Sequence, residues 1–429
     1  MDINGLLNSE KLGDVYGHDP EMISYQKDRI ERCVQNYAKH FGECDDLHIF
    51  SAAGRSEIGG NHTDHQRGQV LAASLNIDSL AIAAAVTDNV ITLHSEGYDT
   101  YIIDLPDLEN AGNGGDTAAL IRGVAAGFIK KGYKTGGFNA YVTSDVLGGS
   151  GLSSSASFES LIGVILSGLY NDSKVSTVDI AKIGQFAENH YMNKPCGLMD
   201  QMACSVGGFV HIDFEKHRDS DPFFDDTYPS IERIEFDPAD YGYTLCITDT
   251  KASHADLTDE YAAIPKEMKS VAAFFGKEVL TEINEDEFIQ KIPEIRKVTG
   301  DRAIVRAVHF FEENKRVQKE AHALSSGDFN GFLTQFASSA KSSFEYLQNI
   351  HPAKSAQQSM SIALAVSDIV LSSPLKGVAR VHGGGFAGTI QTFVKSEYAD
   401  DYISAMNRLL GEGASRKYSI RKYGCIQII

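Results

Sequence analysis

Apolar and polar positions alternate with periods that divide the chain into helices and strands joined by polar, glycine-containing connections. Helical periodicity runs over 19–41, and an apolar run over 47–53 reads as a strand. That strand leads into the polar, glycine-rich stretch 54–68, which predicts a loop rather than regular structure. Further strands are expected over 79–86, 90–95 and 138–144. A Gly/Ser segment then opens an apolar helix over 153–169, and a second helix over 176–193 stops near Pro195. Strands over 208–214, 234–236 and 243–250 precede a mostly helical stretch covering 257–275, 301–324, 328–347 and 356–371. Two late strands, 377–382 and 389–394, flank another glycine-rich turn, and a helix over 398–410 precedes a closing strand over 424–429. Runs of strands mixed with runs of helices, rather than strict alternation, predict an α+β protein.

Length sharpens this picture. A chain of 429 residues exceeds what one hydrophobic core serves, so two closely packed domains are expected. With 42% hydrophobic and 23% charged residues, the composition is that of an ordinary folded protein and excludes disorder. The formal charge of −19 argues against a nucleic-acid partner, because a polyanion is repelled unless one face is locally basic, and no basic stretch occurs. A nucleotide is still compatible, since backbone N–H groups, a helix N-terminus and a metal ion act locally on phosphates. Cys33, Cys44, Cys196, Cys204, Cys246 and Cys425 show no CxxC spacing, which predicts reduced thiols rather than a zinc knuckle or a disulfide framework. The first residues carry neither a basic nor an apolar targeting region, and no apolar run approaches the ~18 residues of a membrane span, so the chain reads as soluble, cytoplasmic and without a membrane partner.

Four segments carry candidate chemistry. The run Gly148-Gly149-Ser150-Gly151-Leu152-Ser153-Ser154-Ser155-Ala156 lies between a strand and an apolar helix. Its glycines let backbone approach a phosphate, its hydroxyls donate hydrogen bonds or reach a metal, and the helix N-terminus adds partial positive charge. It lacks the G-K-[ST] ending of a Walker A loop. The stretch Gly54–Gln66 contains Arg55, Glu57, Asn61, His62, Asp64 and His65, a density of donors and acceptors that suits a sugar. His62 and His65 lack the carboxylate and spacing of a zinc HExxH helix. Asp200 sits among apolar neighbours in Cys196-Gly197-Leu198-Met199-Asp200-Gln201, where a nearby cation would keep it ionised beside a hydroxyl. The glycines of Gly383-Gly384-Gly385-Phe386-Ala387-Gly388 allow backbone to approach a ligand or make a tight strand connection.

In this order, the four segments resemble the galactokinases of the GHMP small-molecule kinase family over nearly the whole chain. The stretch 54–68 resembles G-R-x-N-x-I-G-E-H-T-D-Y, 148–156 the phosphate loop, 196–201 C-G-I-M-D-Q, and 383–388 G-A-G-F-G-G. A fifth segment, Ser253-His254 through Tyr261, is similar to the one that brings a tyrosine to the sugar. The resemblance implies the GHMP fold: a ribosomal-protein-S5-like N-terminal domain (1–235), with sugar signature, phosphate loop and catalytic Asp, packed on a ferredoxin-like C-terminal domain (236–429), the active site in the cleft between them. It implies phosphorylation of the C1 hydroxyl of galactose by ATP with Mg²⁺. Asp200 is then the carboxylate facing that hydroxyl and Arg55 the cation beside it. Asn61, His62, Asp64, Gly197 and Tyr261 fall on sugar-contacting positions, Gly148, Gly149, Ser150, Gly151, Leu152, Ser153, Ser154 and Ser155 on the triphosphate, and Ser154 with Glu188 on the metal. The chain departs from the signature at two functional places, with Asn61 for a glutamate that binds the sugar's O6 hydroxyl and Glu57 for an asparagine. Gly59, His65 and Leu147 replace isoleucine, tyrosine and proline. These departures leave open a related sugar such as N-acetylgalactosamine, arabinose or a uronic acid, and a catalytically silent sugar and ATP sensor remains a third reading.

Overall fold

The computed structural model describes residues 5, 11–108, 116–146, 151–194, 196–215, 221–252, 257–352, 358–372 and 376–429. The expected loop beginning at Gly54 is instead the second half of a strand. Strand β1 (His48–Gly59) is buried along almost its whole length, so it has no exposed face to generate alternation. Its polar residues are tolerated because each is paired: Ser56 donates to the amide oxygen of Gln391 at 3.0 Å, and Arg55 and Glu57 have partners described below. Strand β2 (Gln69–Ala85) is likewise longer than its apolar signal over 79–86. Its first half, Gln69 to Asn76, is buried throughout, with Ala72, Ala73 and Ser74 at its centre.

Strands β3 (Val90–Ser95), β4 (Thr100–Asp104), β5 (Phe138–Ser144), β6 (Phe209–Asp213), β7 (Ser230–Ile234) and β12 (Cys425–Gln427) join β1 and β2 in an eight-stranded sheet ordered β12-β1-β2-β5-β3-β4. The early part of β2 also pairs with β6, which pairs with β7. All pairings are antiparallel except β3 with β5. A second sheet, β11-β8-β10-β9, is built from β8 (Tyr243–Asp249), β9 (Gly377–His382), β10 (Thr389–Lys395) and β11 (Ser415–Tyr418).

One face of the first sheet packs on α3 (Thr117–Lys130), α4 (Ser154–Tyr170) and α5 (Thr177–His190), with Phe50, Phe128, Phe138, Leu161 and Ile165 fully buried between them. Toward the N-terminus, α1 (Lys11–Tyr16) and α2 (Pro20–Phe41) cover the sheet through Leu12, Ile30, Ile49, Leu80 and Ile82. Helix α2 starts where Asp19 accepts hydrogen bonds from the N–H groups of Glu21 and Met22, with Pro20 at its first position. Helices α7 (Thr258–Phe274) and α8 (Glu285–Thr299) pack on α9 (Asp301–Ser325), which also contacts β1 and β2, whereas α10 (Phe329–Ser342), α11 (Ser359–Leu371) and α12 (Ala399–Leu410) pack on the second sheet. Helix α8 was not among the expected elements; it runs through Pro293. The sequence reading also passed over α3, which is capped by the Asp116 side chain on the Ala119 N–H at 2.7 Å.

The two sheets share a core. Ile58, Leu71 and Leu75 of the first meet Leu245, Ile247 and Phe393 of the second through Phe332, Phe336 and Val317. The final strand, β12, crosses back to pair with β1. The position 235/236 falls between β7 and β8. Among the described residues no helix is long and apolar enough to cross a membrane.

Candidate active site

Arg55 and Asp200 come from elements 145 residues apart and meet in a two-pronged ion pair. Arg55 Nε donates to Asp200 Oδ1 at 2.8 Å and Nη2 to Oδ2 at 2.9 Å, the fork geometry that guanidinium and carboxylate favour. The Arg55 side chain is buried, whereas that of Asp200 is 35% exposed and faces a cavity. Asp200 stands in the first turn of α6 (Met199–Val206), where the helix dipole favours negative charge. Burial pushes its carboxyl up, but Arg55 and a hydrogen bond donated by the Ser153 hydroxyl outweigh it and hold the group below the usual carboxylate range. Asp200 is therefore an anion at neutral pH, already accepting from a hydroxyl.

Ser153 is also the N-cap of α4, in the left-handed conformation (φ 60°). With its hydroxyl turned to Asp200, no side chain caps that helix, and its first-turn N–H groups are left for an anionic ligand. Arg55 Nη1 donates to the carbonyl of Gly151, tying the same turn to the ion pair. Gly148, Gly149 and Ser150 lie outside the described residues; Gly151, Leu152, Ser154 and Ser155 follow at the mouth of α4.

The cavity that Asp200 faces has a volume of about 270 Å³ and carries many polar and charged residues on its wall, a setting that suits a small hydrophilic molecule. His62, Asp64 and Gly197 of the expected sugar contacts line it. A Cβ at Gly197 would stand 2.7 Å from Asp64 Oδ2, so a side chain there would displace the Asp64 carboxylate. His62 Nε2 lies 2.9 Å from the Gly384 carbonyl, which only accepts, so the proton sits on Nε2 and Nδ1 is the acceptor. Burial, with His65 nearby, lowers its pKa to about 4, so the ring is neutral.

Asn61 and Tyr261 are not on this wall. Asn61 is fully buried, its amide N–H groups donating to Glu57 Oε1 (2.8 Å) and the Gly383 carbonyl (2.7 Å), and its oxygen accepting from Asn349 Nδ2 (2.7 Å). The sugar contact expected of Asn61 thus meets a side chain saturated by protein groups. Tyr261 donates to the Gly385 carbonyl at 2.8 Å and packs on Gly384, supporting the glycine turn from behind. Ser253 and His254 fall outside the described residues.

Glu188 lies on the wall, with Lys194 Nζ at 2.7 Å from Oε1 and Gln201 Nε2 donating to Oε2 at 3.2 Å. Burial raises its pKa, but hydrogen bonds from Cys196 and Lys194 lower it further, leaving an ionised oxygen donor. Such a donor fits a hard cation, and Lys194, 57% exposed, is free to swing away. Among the described residues, no group of three or more His, Cys, Asp and Glu side chains is arranged to hold a metal without a ligand's help.

The sequence reading missed several groups. Glu57 reaches the wall two residues beyond Arg55, on the same face of β1, a spacing visible only once 54–59 is read as strand. His382 accepts a hydrogen bond from the Glu57 N–H at 3.3 Å, and its Nδ1–H donates to Thr389 Oγ1 at 2.7 Å, so it too is neutral; burial lowers its pKa to about 3. Behind the site, Glu320 is fully buried with neither oxygen hydrogen-bonded, and it fills the space over Gly59, where a Cβ would be 1.9 Å from its Oε2. Burial and the neighbouring Glu313 raise its pKa well above the ordinary value. A carboxyl raised by folding contributes stability that is present at low pH and declines as pH rises above about 4.3, the unfolded value. Glu320→Gln is therefore expected to remove a decline of about 1.4 kcal/mol per pH unit, seen as a flatter pH dependence of urea midpoints above pH 5.

Comparison with known proteins places these features in a family. Residues 119–208 match the profile "GHMP kinases N terminal domain", and residues 35–85 match "Galactokinase galactose-binding signature". The chain is 27% identical over 406 residues to a galactokinase of Glaesserella parasuis serovar 5, covering 92% of this chain and 96% of that one. It is 28% identical over 379 residues to a galactokinase of Clostridium tetani, covering 86% and 90%. Among solved structures it resembles Lactococcus lactis galactokinase complexed with galactose (TM-score 0.77, 21% identity, 93% of this chain and 100% of that one). It also resembles Methanococcus jannaschii mevalonate kinase (TM-score 0.58, 15% identity, 89% and 99%). The two-sheet fold is shared with these solved kinases, and the chain matches the GHMP kinase N-terminal domain and the galactokinase galactose-binding signature over those two segments.

Proposed function

We propose that the protein is a galactokinase, transferring the γ-phosphoryl group of ATP to the C1 hydroxyl of galactose. The observation that carries this reading is the ionised Asp200, clamped by Arg55 on the wall of a small cavity lined by many polar residues, beside the uncapped N-terminus of α4. ATP lies with its phosphates along 148–155 and the sugar lies against His62, Asp64 and Gly197. Asp200 accepts the hydrogen bond of the C1 hydroxyl and takes its proton as the new O–P bond forms and the bond from the γ-phosphorus to the β–γ bridging oxygen breaks. ADP departs, and Asp200 returns the proton to solvent. The transition state for phosphoryl transfer is loose in most analyses, so positioning and charge neutralisation do most of the work. Arg55 and the first-turn N–H groups of α4 supply part of that neutralisation. Ser154 and Glu188 would hold Mg²⁺, which when bound neutralises charge on the β- and γ-phosphate oxygens.

In the same proposal, residues 1–235 carry the sugar and phosphate groups and 236–429 close the cleft over them through the 383–388 turn. A cytoplasmic location, which supplies ATP and keeps the six thiols reduced, goes with it. A sugar panel followed by ADP release tests the reading. Galactose is expected to give the highest kcat/KM. A preference for N-acetylgalactosamine, arabinose or a uronic acid would change the substrate but not the chemistry. Turnover of no sugar, with binding retained, would leave a sensor.

A further inference from the structure

Glu57 is a buried carboxylate with only one of its oxygens committed. Oε1 accepts from Asn61 Nδ2 at 2.8 Å and Arg380 Nη2 at 3.2 Å, which locks the plane of the group. Oε2 accepts no hydrogen bond from any described residue and is not fully enclosed by protein. Since Glu57 lines the cavity, its free oxygen faces the space where a ligand would lie. An unpaired oxygen of this kind on an otherwise paired group is an acceptor held ready for a donor.

Its position says which donor. Arg55 and Glu57 are residues i and i+2 of β1, on one face and about 7 Å apart along the strand. Arg55 marks the phosphorylated end of the sugar through Asp200. Glu57 therefore stands near the other end of a hexose ring. Asn61, by contrast, has no exposed surface, and both its amide N–H groups and its oxygen are engaged by protein groups.

We propose that Glu57 is the specificity-determining residue that accepts a hydrogen bond from a sugar hydroxyl remote from C1, and that Asn61 acts only by orienting Glu57. This rests on the sugar-kinase reading above. Its chemistry selects a neutral sugar with a hydroxyl at that position. A deoxy sugar leaves Oε2 unpaired, and a uronic acid sets two carboxyl groups against each other. Burial, only partly offset by Arg380 and Asn61, raises the pKa of Glu57 to about 7, so the group is poised to accept and readily left neutral when no donor arrives.

The experiment is steady-state kinetics of Glu57→Gln on the sugar that the wild type phosphorylates best, with melting temperature as the control for folding. The expected result is a rise in KM of about 10- to 100-fold with kcat within about threefold of wild type, since the lost contact is made in ground and transition states alike. An unchanged KM in a folded variant overturns the inference and leaves the kinase reading intact. A wild type that phosphorylates no sugar overturns both. A crystal structure of the wild type with the sugar answers without substitution: a hydroxyl within hydrogen-bond distance of Glu57 Oε2 supports the inference, and a hydroxyl held by Asn61, or none near Oε2, overturns it.

Discussion

Asp200→Asn is expected to lower kcat by about 10²- to 10⁴-fold while leaving a folded protein that still binds ATP. The amide keeps the shape of the carboxylate but removes the proton acceptor and the charge that Arg55 matches. One Arg55 N–H then faces an amide NH₂ in place of a carboxylate oxygen, so some loss of thermal stability accompanies the change. Two measurements separate these effects: ADP release at saturating galactose and ATP, and the thermal shift produced by ATP alone. Turnover near the wild-type value would remove Asp200 from the reaction.

The second large effect concerns stability and lies far from the cavity. Asp78 on β2 is fully buried and receives Arg29 Nη1 at 2.6 Å from α2, Tyr16 OH at 2.7 Å from α1, the Ser51 hydroxyl from β1, and Arg421 Nη1 at 3.2 Å from the segment before β12. One carboxylate thus joins the two N-terminal helices, the central strands and the returning C-terminal segment. Burial raises its pKa, but Arg29 and Arg421 outweigh burial, and the group is held below its ordinary value. Asp78→Ala would leave the buried Arg421 without this counter-charge and Arg29 with only its ion pair to Asp145 at 2.9 Å, and a loss of about 3–5 kcal/mol is expected. Urea denaturation at pH 7 reads it as a lower midpoint with the slope unchanged. Because the native pKa is depressed, this contribution is present above about pH 4 and is lost as pH falls through the native value; the wild type should therefore approach the variant in acid. A variant as stable as the wild type at pH 7 would contradict this role.

Much of the order of helices and strands was legible. The strand over 90–95 and the helices over 153–169 and 301–324 differ from the observed elements by a residue or two at most, whereas the largely exposed α8 and β4 were passed over. The reading also failed in β1, which is covered on both faces. Between Gly54 and Gly59 the polar side chains look like a loop because their partners, Asp200, Gln391 and Arg380, arrive from distant parts of the chain. The same blindness affected the site. The pairing of Arg55 with Asp200 was legible from the order of motifs, but the exchange of Glu57 and Asn61 looked like two separate departures. In the folded chain these two side chains touch, and the carboxylate has moved to the member of the pair that faces the cavity. The Gly59 departure has a similar cause, since Glu320 from α9 occupies the volume that a side chain there would need.

The most direct test of the central claim is to incubate the protein with ATP, Mg²⁺ and galactose and determine the product by NMR. Galactose 1-phosphate, with phosphorus coupled to the anomeric proton, is the expected result. Phosphate on another hydroxyl, or galactose left unphosphorylated while ATP is bound, would contradict it.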